Sequence, residues 1–132
     1  MRLTLPALVT LAAVFVYFVT TLNVGRAREK YKIVAPAVTG NLDFERVYRV
    51  QMNTVEQIVA FLPALWLFAI YLSPVWASAF GVVWIVGRIL YAVGYTRSAD
   101  KRDVGFGVTF IAFAALWAGA AWGVIGALLQ GT

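Results

Sequence analysis

At 132 residues, with 62% hydrophobic side chains and a mean hydropathy of +0.82, the chain falls outside the composition of soluble globular domains and belongs in a bilayer. Eleven Lys and Arg against six Asp and Glu leave a formal net charge of +5, but these charges gather in loops between apolar segments, which favours membrane topology over nucleic-acid binding as their cause. The absence of Cys and His removes disulfides, Fe–S ligation, thiolate nucleophiles and the commonest general base and metal ligand from the protein's own side chains.

The first apolar run, Leu5 to Val24, is close to the roughly 20 residues needed to cross hydrocarbon. Arg2 ahead of it imitates a signal peptide, but no convincing small-residue cleavage site follows and similar runs come later, so a retained helix over 5–24 is expected. Pro6 lies near its start, where a missing N–H costs little. Gly25-Arg-Ala-Arg-Glu-Lys-Tyr-Lys32 then forms a basic collar in which Arg26, Lys30 and Lys32 suit headgroup contact, with Arg28 the candidate to turn inward. Val34 to Leu42, carrying Pro36 and Gly40, reads as an ordered loop.

A second helix is expected over 44–71, kinked at Pro63 by the lost backbone bond. At about 100° per residue, Arg46, Arg49, Asn53, Glu56 and Gln57 fall on one stripe about 100° wide, while Gln51 points elsewhere. The rise from Arg49 to Glu56 is about 10 Å, comparable to an extended tripeptide. Ionisable residues inside a membrane are costly and usually face a bundle interior or a wet cavity, so the stripe marks a polar ligand site; an ion pair bracing two helices is the simpler alternative.

After an uncharged turn at Leu72-Ser-Pro74, a third helix is expected over 75–96, on which Trp84, Arg88, Tyr91, Tyr95 and Ser98 share a face at spacings of four and three. Arg97-Ser-Ala-Asp-Lys-Arg-Asp103 forms the second charged loop, and a fourth helix is expected over 104–129, with Gly119, Ala120, Gly123 and Gly126 permitting close helix approach. Trp117 and Trp122 on it suit interfacial anchoring, or else the wall of an apolar cleft. The fold class is therefore an all-α integral membrane protein, a four-transmembrane-helix bundle in a single domain over 1–132. Lys and Arg concentrate in the loops after the first and third helices, which places those loops in the cytoplasm and both termini on the opposite side.

Two stretches carry a resemblance: Phe-Glu-Arg-Val-Tyr-Arg-Val-Gln-Met-Asn-Thr-Val-Glu from Phe44 to Glu56, and Gly-Arg-Ile-Leu-Tyr-Ala-Val-Gly-Tyr-Thr-Arg-Ser-Ala-Asp-Lys-Arg from Gly87 to Arg102. In this order they resemble the MAPEG family, the membrane-associated proteins of eicosanoid and glutathione metabolism, with its leukotriene C synthase and microsomal glutathione transferase branches. The resemblance covers about residues 25 to 103. It implies a homotrimer that binds glutathione as co-substrate between neighbouring subunits near the cytoplasmic face, without a metal, for conjugation to a hydrophobic electrophile taken from membrane lipids.

By the same resemblance, Arg49, Asn53, Glu56, Tyr91 and Tyr95 bind the tripeptide, Gln51 and Arg28 serve the site shared with the neighbour, and Arg88 braces its base. Arg102 matches the arginine that stabilises the glutathione thiolate, the species that is a good nucleophile. The chain departs from the leukotriene synthase pattern at Gln57, where an aromatic residue follows the motif glutamate, and at Glu29, the second position of an arginine pair. Glutathione peroxidase activity on lipid hydroperoxides would use the same thiolate. The alternatives are a non-enzymatic lipid-binding or scaffold member of the family and a small multidrug exporter; the exporter needs a carboxylate mid-way along the first helix, and none lies between Leu3 and Val24.

Overall fold

The computed structural model describes residues 2–97 and 102–131, which form four helices: α1 (Thr4–Tyr31), α2 (Leu42–Tyr71), α3 (Pro74–Arg97) and α4 (Asp103–Leu129). Ser98, expected on the polar face of the third helix, and Asp100 and Lys101 of the charged loop lie outside the described residues. Each helix is long and apolar enough to cross a membrane.

The first helix runs past the expected end at Val24 and stops only at Tyr31. Hydropathy falls at Gly25, but Ala27-Arg-Glu-Lys30 are good helix formers, and water satisfies charged side chains on a helix as readily as on a loop. Lys32 then takes a left-handed conformation with φ 57°, its N–H donating to the Arg28 carbonyl, and the helix closes. Arg28 and Lys30 in the last turn complement the negative end of the helix dipole.

At the start of α2 the Asn41 side chain caps the helix, accepting from the Phe44 N–H at 3.0 Å. Asp43 and Glu45 sit in the same first turn, where negative charge is favoured. The helix continues unbroken through Pro63, whose ring lies on an exposed face. For α3, the Ser73 hydroxyl accepts from the Trp76 N–H at 3.2 Å, and Pro74 occupies the first helical position, where no N–H is needed.

The helices α2 and α3 pack on each other, and each also packs on α1 and α4, so these two flank the central pair. The core is built from Val9, Ala13, Phe61, Leu65, Phe68, Trp84, Ala112 and Leu116, with the Phe61 and Trp84 rings stacked at 3.9 Å between centroids. The large apolar side chains outside this core, such as Phe15, Leu67, Val86 and Phe110, face outward as lipid-facing residues do.

The helix α4 touches its two partners at different heights. Toward the Tyr71 end, Gly119 lies against the Phe68 ring and Gly123 against the Tyr71 carbonyl, closing α4 on α2. Toward the Arg49 end, Gly105 lies on the backbone of Tyr91, closing α4 on α3. Gly126, expected among the close-approach positions, has nothing within 4 Å of where a Cβ would stand.

Candidate functional site

On α2, Arg49, Asn53 and Glu56 form the expected stripe. The Arg49 Nη2 lies 3.1 Å from the Glu56 Oε1, an ion pair spanning two turns, and both side chains are about half exposed, at 49% and 53%. Asn53, between them, looks inward instead: its Oδ1 accepts from Arg88 Nη1 of α3 at 2.8 Å. Arg46 is drawn to Asp43 at 3.4 Å, toward the start of the helix.

Arg88 is 1% exposed and has no carboxylate partner among the described residues. A buried guanidinium needs compensation, because a charge removed from water is costly unless hydrogen bonds or other charges replace the solvent. Asn53 supplies one acceptor and Thr54 Oγ1 a second, at 2.7 Å from Arg88 Nη2. The guanidinium carbon also lies 4.4 Å from the Tyr91 ring centroid and 5.9 Å from that of Trp84, within cation–π range. Both acceptors are neutral, so the positive charge is held in place without being neutralised.

Tyr91 and Tyr95, one turn apart on α3, stack at 5.5 Å between centroids, and the Arg102 guanidinium carbon lies 5.6 Å from the Tyr95 ring. Tyr91 is within electrostatic reach of Arg88, Tyr95, Arg49 and Arg102, which brings two guanidiniums of the helix interiors and the one before α4 around a single phenol. Arg49, Arg88 and Arg102 bring three guanidiniums to this group beside the carboxylate of Glu56. Among the described residues no three acidic side chains gather as metal ligands would.

Gln51 and Arg28, expected at an edge shared with a neighbouring subunit, lie away from this group. Gln51 points away from the stripe, its Nε2 donating to Thr21 Oγ1 of α1 at 3.2 Å. The Arg28 Nη1 donates to the carbonyls of Ile33 and Ala37 at 3.3 and 2.8 Å, and its guanidinium lies over the Phe44 ring at 5.1 Å, so within this chain it ties the 33–41 loop to α1. Trp117 and Trp122 project outward from α4.

Sequence reasoning missed Thr54 and Gly105. Thr54 also donates to the Val50 carbonyl at 2.7 Å, the ordinary habit of a helical threonine, and nothing in the sequence marks its hydroxyl as an acceptor for Arg88. Gly105 carries the closest α3–α4 approach, and only the position of Tyr91 shows why a side chain would not fit there.

The family model for the MAPEG family matches residues 6–122. The chain belongs to the MAPEG family. It is thus an integral, multi-pass membrane protein, with the four-helix membrane fold of that family. A Synechocystis protein described as uncharacterized is 53% identical over 125 residues, covering 95% of this MAPEG chain and 91% of the relative. Human microsomal glutathione S-transferase 2 is 49% identical over 85 residues, 64% of this chain and 58% of the human protein. Leukotriene C4 synthase of Cavia porcellus is 40% identical over 98 residues, 74% of this chain and 65% of the relative. The match therefore spans less than two thirds of the length of these last two relatives.

Proposed function

We propose that this MAPEG chain is a membrane-bound glutathione transferase that binds glutathione as its thiolate and directs the sulfur at hydrophobic electrophiles dissolved in the bilayer. The observation that carries this reading is the group of Arg49, Glu56, Arg88, Tyr91, Tyr95 and Arg102, with its three guanidiniums, on helices long and apolar enough to span a membrane. Ionised glutathione offers two carboxylates, one thiolate and one ammonium, which leaves two negative charges in excess and complements the group. The relatives that carry glutathione transferase names agree with it.

In this reading Arg49 takes a glutathione carboxylate through a charge-assisted fork and Glu56 takes the ammonium, so ligand binding opens the Arg49–Glu56 pair. Asn53, Tyr91 and Tyr95 line the tripeptide, and Arg88 holds Asn53 and Tyr91 in place from beneath. Arg102 stabilises the thiolate; the thiol proton leaves to water, and the sulfur lone pair forms the new C–S bond as the electrophile's leaving group departs with its bonding pair, or as its C=C or epoxide C–O pair moves to an atom that water protonates. The same thiolate would reduce a lipid hydroperoxide by breaking its O–O bond, giving the lipid alcohol and water, while a second glutathione closes the glutathione disulfide. A homotrimer completes the site: a half-exposed ion pair on a membrane helix is better covered by a second copy than by lipid, and that copy would bring Gln51 and Arg28 to the shared edge. The distribution of Lys and Arg supports a cytoplasmic position for the site and the opposite side for both termini, with 1–132 as one domain.

The test is a titration of glutathione into the purified protein in detergent, followed by the ultraviolet absorbance of the thiolate. Saturable growth of that absorbance is expected. Its absence, together with no saturable binding, would discard the transferase reading and leave a lipid-binding scaffold.

A further inference from the structure

A second concave region lies between α1 and α3, lined by residues outside the Arg49 group. It is a cleft of about 400 Å³ walled by Phe15, Val16 and Val19 of α1 and by Ile89, Ala92 and Val93 of α3. A recess of about 190 Å³ continues from it toward Val50 and Thr96. Its outer walls are exposed apolar side chains on helices long and apolar enough to cross a membrane, so the surrounding medium is acyl chain. Within the lining, the Thr20 hydroxyl is spent on the Tyr17 carbonyl at 2.6 Å. The Asn23 amide is exposed and has no hydrogen bond among the described residues, an unfavourable state for an amide at the edge of hydrocarbon.

Helical spacing sets positive charge at one end of the cleft. Val19, Asn23 and Arg26 follow one another at i, i+4 and i+7 on α1, and Val93 and Arg97 at i and i+4 on α3, so each arginine stands one or two turns beyond its apolar wall on the same face. Both arginines are exposed, and neither has an ion-pair partner among the described residues. Glu29, the acidic residue at this end of α1, pairs with neither. Apolar walls, then an amide, then two guanidiniums reproduce in order the acyl chain, ester region and phosphate of a phospholipid. Basic pockets between membrane helices recognise anionic headgroups in this way.

We propose that the α1–α3 cleft binds an anionic phospholipid of the surrounding bilayer, its acyl chain against Phe15, Val19 and Val93 and its phosphate between Arg26 and Arg97. Asn23 donates to an ester or phosphate oxygen, which satisfies the amide. An uncharged electrophile would make no use of the two arginines, and a phosphate without a tail would make none of the walls.

The full-length protein, purified in a neutral detergent, is titrated with phosphatidylglycerol or with phosphatidylcholine of matched chains. The readouts are the thermal midpoint and the lipid retained in native mass spectrometry. An arginine at an anionic headgroup is worth about fivefold in affinity, so the pair should favour phosphatidylglycerol by about 25-fold. The variant Arg26→Gln/Arg97→Gln should lose that preference and keep glutathione binding unchanged, and Val93→Trp, which fills the cleft, should weaken both lipids. If Val93→Trp fails to fold, the exposed arginine pair still carries the test. Equal binding of the two lipids by the unaltered protein overturns the proposal. So does a preference that survives in the arginine variant, or the same stabilisation by inorganic phosphate or tail-free glycerophosphoglycerol.

Discussion

Arg88 of α3 donates to Asn53 of α2 across the bundle at 2.8 Å, and this bond links the buried guanidinium to the stripe that carries Arg49 and Glu56. Asn53 is both the brace for Arg88 and the middle member of the candidate site. Losing it should therefore damage two things at once: Asn53→Leu should lower stability by about 2 kcal/mol, the value of a hydrogen bond to a charged group, and should also weaken glutathione binding. Thermal denaturation in detergent and a glutathione titration read the two effects separately.

Thr54 separates the brace from the ligand surface, because its hydroxyl meets Arg88 but is buried beneath the stripe. Thr54→Val keeps the shape and removes the acceptor, so a stability loss of about 1.5–3 kcal/mol is expected. Thr54→Ser should recover most of it. Equal stability in the Val and Ser variants would show that the hydroxyl contributes nothing to holding Arg88.

Gly105 and Gly107 offer a matched comparison on one helix. A Cβ at Gly105 would meet the Tyr91 backbone, whereas one at Gly107 would meet nothing within 4 Å. Gly105→Ala should cost about 1–3 kcal/mol through overpacking and weaken glutathione binding, because it pushes α4 off Tyr91. Gly107→Ala should raise stability by up to about 1 kcal/mol through helix propensity alone. Chemical denaturation of the two variants side by side checks the contrast.

The Arg49–Glu56 pair is half exposed, so its contribution to folding is expected to be small, under about 1 kcal/mol for either single substitution. Its contribution to binding is expected to be larger: Arg49→Gln should weaken glutathione about tenfold or more, the loss of one charge-assisted hydrogen bond. Calorimetric titration alongside thermal melts distinguishes the two. A large stability loss with unchanged affinity would make the pair a helix brace.

Arg102→Ala should abolish the thiolate absorbance while leaving glutathione affinity largely intact, because its expected partner is the sulfur rather than the carboxylates. Each unit of thiol pKa depression corresponds to about 1.4 kcal/mol of preferential stabilisation of the thiolate. Unchanged turnover in the variant would remove Arg102 from the mechanism.

Much of this arrangement is legible in the sequence. Hydropathy located the helices, with α2, α3 and α4 starting and ending within about two residues of expectation. Helical period placed Arg49, Asn53 and Glu56 on one face and sent Gln51 to another, where it meets Thr21. The end of α1 was misread because hydropathy reports where water begins, whereas α1 continues through charged residues to Tyr31. Gly126 permits a close approach that is not made within this chain, because a small residue allows contact without requiring it.

Composition and periodicity by themselves determined that apolar helices fill the chain, and which side chains share a face on each, because both depend only on local backbone geometry and on transfer from water to lipid. Only the tertiary structure decided which faces meet. Arg88 settles on Asn53 and Thr54 rather than on Glu56, and Tyr91 lies beneath Gly105, because those contacts depend on the heights at which α3 meets α2 and α4. Such heights follow from steric fit between residues far apart along the chain, which no local pattern encodes.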